Sequence, residues 1–271
     1  MSTQNLTMIW PGGAPLIGMV HLLPLPGSPL WAGSMDRVLD RARSDAAALA
    51  AAGFDGVIVE NFGDAPFFRG PVPPETVAGI TAAVQAVVDS SELPIGVNVL
   101  RNDARAAIGI AVTTGARFIR INVHTGSMWT DQGLIEGQAA ETLRMRAALE
   151  SDVAILADVH VKHAIPPAGA RIEDAALDTW YRGRANALVI TGSGTGRTTD
   201  VSDIERVRSI LPEATILLGS GATEADIRAS LTRVDGAIVG SAVMREGRAG
   251  MGVDPGKAAT FVQAARKQAS A

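Results

Sequence analysis

The chain has 271 residues, 47% apolar and 19% charged, with net charge −4, 29 glycines and no cysteine. This is the composition of a folded α/β domain, not of a disordered or fibrous chain. The missing cysteines exclude disulfides, thiolate zinc sites and a thiol nucleophile, and the absence of a Lys/Arg cluster argues against nucleic acid as a partner.

Residues 1–12 read as an N-terminal tail: Met1 to Met8 is polar and lacks the basic-then-apolar pattern of a signal peptide. No apolar run approaches the roughly 20 residues of a membrane helix. The expectation is a cytoplasmic protein without an integral membrane segment. Eight apolar runs follow, at 15–21, 56–61, 94–99, 117–123, 153–159, 186–191, 214–219 and 235–240. Val, Ile and Leu occupy both faces of each, as in parallel strands covered on both sides. Between them the spacing is helical. Met35, Val38, Leu39, Ala42, Ala46 and Leu49 form one stripe, and Val201, Ile204, Val207 and Ile210 another. Ser202 with Glu205 reads as a capping box, and Asp254-Pro255 as a cap followed by proline at the first helical position. Gly53, Gly115 and Gly183 stand where helices should end. Helix-to-strand connections are short, whereas the strand-to-helix stretches 22–34, 62–72, 124–135, 162–170 and 192–199 are long. Eight such units with one elaborated end predict a single-domain α/β fold, a closed (β/α)8 TIM barrel rather than an open doubly wound sheet.

Ligands of parallel α/β folds gather at the carboxyl ends of the strands. All four histidines, His21, His124, His160 and His163, lie at or just beyond such ends. Strand alternation puts Asp158, His160 and Lys162 on one face, and Arg120, Asn122 and His124 on another. Glu60 shares a face with Ile58, and Asn98 with Gly96. Polar groups there are cheaper at a barrel mouth than among the covering helices. Asp158 is the candidate base, His160 the proton carrier, and Lys162 the cation for an anionic intermediate or, if desolvated, an imine-forming amine. Glu60 and His124 complete the candidate catalytic set, although Glu60 can equally form a buried ion pair with Arg120. Asn98 and Asn122 suit substrate hydroxyls, and Arg101 an anion. His21, held by Leu22-Leu23-Pro24-Leu25-Pro26-Gly27, and Thr191 join the candidate substrate binders. Asn102 or Asp103 caps a helix. Glu60, His124, Asp158 and His160 are acceptable metal ligands without a diagnostic spacing. The reading therefore requires no cofactor and admits a divalent metal.

Three glycine clusters end the last three units: Gly192-Ser193-Gly194-Thr195-Gly196, Gly219-Ser220-Gly221-Ala222-Thr223 and Gly240-Ser241-Ala242. Loops after the seventh and eighth strands of such barrels often hold phosphate on backbone N–H groups. The expected phosphate binders are Gly192, Ser193, Gly194, Gly219, Ser220, Gly221, Gly240 and Ser241. The plainer alternative is that these glycines only make tight turns.

Seven of these stretches resemble the BtpA/SgcQ family: Gly18 to Pro29, Glu60 to Phe67, Gly96 to Asp103, Arg120 to His124, Ala157 to His163, Thr191 to Gly196 and Gly219 to Thr223. The resemblance spans residues 18 to about 245 and implies a barrel similar to the phosphate-binding ones. One branch of that family is named for photosystem I biogenesis, and another is associated with sugar-uptake operons. Residues and resemblance together predict an enzyme acting on a small phosphorylated substrate, as a sugar-phosphate isomerase, epimerase or aldolase does, with homo-oligomer formation left open. The alternative is a non-enzymatic assembly factor for membrane complexes such as photosystem I. It predicts an exposed apolar patch; Trp129 and Phe67-Phe68, in strand-to-helix loops, can instead form a lid.

Overall fold

The structure is a computed structural model and describes residues 6–191 and 201–266. The barrel strands are β1 (Leu16–His21), β2 (Gly56–Glu60), β3 (Ile95–Asn98), β4 (Phe118–Ile121), β7 (Ala154–Val159), β9 (Ala187–Ile190), β10 (Ile216–Leu218) and β11 (Ala237–Val239). In this order they form one closed barrel, with every neighbouring pair parallel and β11 returning to β1. The remaining strands β5 (Ser127–Thr130), β6 (Gly133–Glu136) and β8 (Ala164–Ile165) make a small antiparallel sheet above the mouth. The helices are α1 (Met35–Ala52), α2 (Pro74–Val88), α3 (Ala104–Thr114), α4 (Ala139–Ala148), α5 (Ile172–Leu177), α6 (Val201–Ile210), α7 (Ile227–Ser230) and α8 (Pro255–Arg266).

Local signals account for the helix ends. Ser34 Oγ accepts the Arg37 N–H at the start of α1, and Gly53 ends that helix with a left-handed φ of 93°. Asp103 and Asp254 cap α3 and α8 through their carboxylates. Gly183 closes a π turn at Asp178–Arg182 with right-handed backbone. The cap expected around Ser202 borders residues 192–200, which lie outside the described residues.

Strand alternation divides the core in two. Val20, Val57, Val59, Val97, Ile119, Ile155, Leu188 and Ile216 face the helices. Ile17, Met19, Ile58, Phe118, Leu156, Val189, Leu217 and Ile238 fill the barrel interior. Phe118 occupies the space a side chain at position 96 would need: a Cβ on Gly96 would overlap its ring. Leu6, Ile9 and Trp10 belong to the same interior cluster. The Trp10 ring meets Phe118 edge-on at 5.1 Å, and its Nε1 donates to the Asp55 carbonyl. The expected tail thus contains a plug for the barrel floor, because three apolar side chains in five residues can cover what the strands leave open there.

The long connection after β4 also differs from expectation. The stretch read as a loop at 124–135 holds the hairpin of β5 and β6, and β8 adds to it through the register Trp129↔Ile165 and Thr130↔Ala164. Val123, Met128, Ile135 and Val161 form a small core beneath this sheet. It anchors the residues on either side of Lys162.

Candidate active site

His21, Glu60 and Asn98 end β1, β2 and β3 in register with one another, and all three are buried. His21 Nε2 lies 3.4 Å from Glu60 Oε1. The other ring nitrogen, Nδ1, accepts the Gly250 N–H at 3.1 Å, and the ring stacks on Phe62 at 4.3 Å. An accepting Nδ1 leaves the proton of a neutral imidazole on Nε2, facing Glu60. Burial, with the nearby charges of Lys162 and Arg120, pushes the His21 pKa down to about 3. His21 is therefore a neutral donor at physiological pH, and its contact with Glu60 is not an ion pair. Burial also pushes the Glu60 carboxyl up, against the opposing pull of Arg120, Lys162 and Arg101.

Arg120 pairs with Asp158, not with Glu60. Its Nε and Nη2 donate to Asp158 Oδ2 and Oδ1 at 3.0 and 2.9 Å. Strands β4 and β7 are neighbours, whereas β3 separates β4 from β2. Asn122 Nδ2 donates to Asp158 Oδ2 at 2.9 Å, and Asn98 Nδ2 donates to Asn122 Oδ1 at 3.2 Å. Asp158, expected as a base, is fully engaged as the acceptor of this network. Asn98 and Asn122 are engaged with protein atoms as well, although Asn98 Oδ1 is buried without a partner.

Lys162 is half-buried and faces the same space. Burial and the Arg120 charge lower its pKa, against the pull of Glu60 and Asp158. Its backbone is gripped on both sides: the N–H donates to Thr191 Oγ1 at 3.1 Å, and the carbonyl accepts from Arg101 Nη2 at 2.8 Å. Thr191 and Arg101, expected to touch substrate, hold this segment.

The histidines beyond the strand ends do not line the pocket of His21, Glu60 and Lys162. His160 has a φ of 52° and borders a second cavity, which Asn122, Asp158, Arg171, Asp174 and Asp178 also line. His124 is buried, and its Nε2 donates to the Gly183 carbonyl at 2.8 Å. His163 is exposed. The alternation that grouped His124 with Arg120 and His160 with Asp158 holds only within a strand, and β4 and β7 end at Ile121 and Val159. The four candidate metal ligands accordingly do not converge, and no other metal-binding group of three His, Asp or Glu occurs among the described residues.

Opposite Glu60 and Lys162, the loops after β10 and β11 complete the pocket, which holds about 520 Å3 of unfilled space partly open to solvent. Among the described residues, the backbone N–H groups of Gly221, Ala222, Gly240, Ser241 and Ala242 reach no protein acceptor. Gly221 has a φ of 81°, a backbone state open to glycine. A Cβ on Gly240 would point toward Met19 and His21, into the pocket. Gly219 behaves differently: its N–H donates to the Ile190 carbonyl, and a Cβ there would collide with Thr191. Gly192, Ser193 and Gly194 lie outside the described residues. Sequence reasoning missed Phe62 and Gly250, which orient His21; no local pattern ties either to a histidine so distant in the chain.

A profile of the BtpA family matches residues 13–267. This chain belongs to the BtpA family. The BtpA-family protein of Synechocystis sp. named photosystem I biogenesis protein BtpA is 46% identical over 250 residues, covering 92% of this chain and 87% of the relative. An uncharacterized protein of Pyrococcus abyssi is 47% identical, covering 88% and 90%. An uncharacterized mitochondrial protein of Caenorhabditis elegans is 31% identical, covering 92% of each. Among solved structures the BtpA-family barrel resembles N-(5'-phosphoribosyl)anthranilate isomerase from Pyrococcus furiosus, with TM-score 0.58, 13% identity, and 93% and 98% of the two chains covered. It also resembles a native KDPGal structure, with TM-score 0.57, 18% identity, and 93% and 94% coverage. A Schiff-base-forming fructose-1,6-bisphosphate aldolase gives TM-score 0.57 at 14% identity, with 96% and 98% coverage. At these identities the likeness concerns the fold. Among the described residues no helix is long and apolar enough to cross a membrane.

Proposed function

We propose that the protein is an enzyme acting on a small phosphorylated molecule of the sugar-phosphate kind, by isomerisation, epimerisation or aldol chemistry. The observation that carries this reading is a cluster of five backbone N–H groups, without an acceptor among the described residues, on two adjacent loops that line one pocket with Glu60 and Lys162. Convergent N–H groups on glycine-rich turns make an anion-binding concavity. Arg120, Arg101 and Lys162 add positive charge around the mouth, against the opposing charges of Glu60 and Asp158. Glu60, held toward its neutral form, can give or take a proton next to a bound carbonyl, and His21 Nε2–H steadies its carboxylate. The Arg120–Asp158–Asn122 network holds the base of the site rigid. The phosphorylated ligand is thus gripped at one side of the mouth and presented to acid–base groups on the other.

Thermal-shift titration with orthophosphate and with triose and pentose phosphates tests this. A ligand at 100 times its Kd adds about 2.7 kcal/mol, a rise of several degrees in Tm. Ser241→Asp, which puts a carboxylate among the five donors, should abolish the rise; Gly221→Asp should as well, with added backbone strain. A wild type that no phosphorylated compound stabilises would remove the proposal. A second reading, as an assembly factor, is favoured by the name of the Synechocystis relative and by the exposed cross-strand pair Trp129 and Ile165. It predicts that Ser241→Asp leaves function in the cell intact.

A further inference from the structure

We infer that Lys162 is the covalent nucleophile of this site, forming an imine with the aldehyde or ketone carbon of the phosphorylated ligand; the inference rests on the proposed function and narrows its substrates to carbonyl compounds. Several independent observations lead there. The chain contains only three lysines, Lys162, Lys257 and Lys267, and otherwise takes its positive charge from arginine. Arginine is the better residue for a fixed charge in a buried site, and Arg101 and Arg120 already supply it here. A lysine adds something arginine cannot: an amine able to lose its proton.

The amine of Lys162 is also unclaimed. Among the described residues it makes no hydrogen bond and no salt bridge, whereas Lys257 Nζ donates to the Met244 carbonyl at 3.2 Å. The carboxylates near it are already engaged. Asp158 accepts three hydrogen bonds from Arg120 and Asn122, and Glu60 Oε1 faces His21. A half-buried lysine kept for structure would pair with one of them. Meanwhile its main chain is held tightly. Thr191 and Arg101 bind its N–H and carbonyl, Val161 before it is buried in the small core, and β8 follows two residues later. The protein fixes the backbone, leaves the amine unpaired among the described residues, and brings it to the pocket lined by the two glycine-rich loops. Burial and the nearby guanidinium groups favour the neutral amine, against the pull of Glu60 and Asp158.

The chemistry closes without a cofactor. The Nζ lone pair attacks the carbonyl carbon, and the C=O π pair moves to oxygen, which takes a proton from the Glu60 carboxylic acid to give a carbinolamine. The nitrogen then gives its proton to the Glu60 carboxylate. Its lone pair forms C=N as the hydroxyl departs with a further proton from the carboxyl group, as water. The amine, the carbonyl and the Glu60 carboxylic acid thus yield the protonated imine, water and the Glu60 carboxylate, so the one proton that Glu60 loses overall is balanced by the positive charge on the product nitrogen.

The test incubates the full-length protein with glycolaldehyde phosphate and sodium cyanoborohydride, a hydride donor that turns an imine into a stable secondary amine, and maps the adduct by peptide mass. Calorimetry with orthophosphate on the same preparation reports the anion site separately. The expected result is one adduct per chain at Lys162. It should form ahead of any adduct elsewhere in the chain near neutral pH, because burial and the Arg120 charge lower the Lys162 pKa. Excess orthophosphate should slow it, and Lys162→Arg should abolish it while still binding orthophosphate. Orthophosphate binding without an adduct at Lys162, or with adducts only at Lys257, Lys267 and the N-terminus, overturns the imine and leaves the proposed function standing. An adduct at Lys162 that orthophosphate does not slow keeps the nucleophile and overturns the anion site. Neither binding nor adduct overturns both.

Discussion

A histidine enclosed among cations, with one nitrogen tied to a backbone N–H, behaves as a fixed dipole, and this gives His21 a signature in stability. Its folded pKa is depressed to about 3, whereas an unfolded histidine titrates near 6.5. Below 6.5 the unfolded chain binds a proton that the folded chain refuses. The stability His21 contributes is therefore complete above 6.5 and is lost progressively as the pH falls toward 3. Relative to His21→Gln, the wild type should lose roughly 3 kcal/mol between pH 7 and pH 4. Urea unfolding of both proteins across that range measures it, and a constant difference would refute the buried neutral imidazole. Glu60 has the opposite sign: its raised pKa gives stability that is complete on the acid side and lost as pH rises through the folded value. At this scale the sequence revealed which strand ends carry polar groups, since charge among apolar runs is conspicuous. It did not reveal who pairs with whom. The choice of Asp158 by Arg120 depends on which strands are neighbours and on their register. The departure of His160 and His124 depends on where each strand stops, and alternation says nothing past that point.

The barrel strands were readable as apolar runs, and the first and last helices because they carry their own stop or start signals, Gly53 and Asp254. The elements that escaped are short and owe their structure to distant partners. Residues Ser127–Glu136 pair as a hairpin over a small core that includes Val161, more than twenty residues away in sequence. Leu6, Ile9 and Trp10 form only one turn of helix and a bend, too little for a pattern. Their importance comes from the open floor of a closed barrel, which only the assembled fold contains. Trp10 contributes an edge-on contact with Phe118 and a hydrogen bond to the Asp55 carbonyl, and it is buried. Trp10→Ala should cost about 3–5 kcal/mol, as truncation of a buried aromatic does, and guanidinium unfolding will report it. Orthophosphate affinity should be unchanged, because the floor and the mouth are separated by the packed interior. A loss below about 1 kcal/mol would mean that Trp10 does not close the floor.

Across the whole molecule, the charge that a ligand meets at long range and the charge it meets at the mouth have opposite signs. The chain carries a net charge of −4, so a dianion approaching from afar is repelled. At the mouth, Arg120 and Lys162 line the pocket with Glu60, Arg101 and Asp158 lie close by, and backbone donors without an acceptor among the described residues line another wall. Salt screens both fields, and the two make opposite predictions for its effect. If the distant field ruled, added salt would relieve the repulsion and tighten binding. If the mouth ruled, added salt would weaken the attraction, though less steeply than for exposed charges, because buried groups are poorly screened. The mouth should win: at about 0.15 M salt the Debye length is roughly 8 Å, which already erases most of the distant field but not a contact inside the pocket. Orthophosphate affinity, measured by calorimetry from about 0.02 to about 0.2 M NaCl, should therefore fall modestly and steadily. Affinity that rises with salt over that range would place the phosphate on the outer surface, away from the three cations and the five donors.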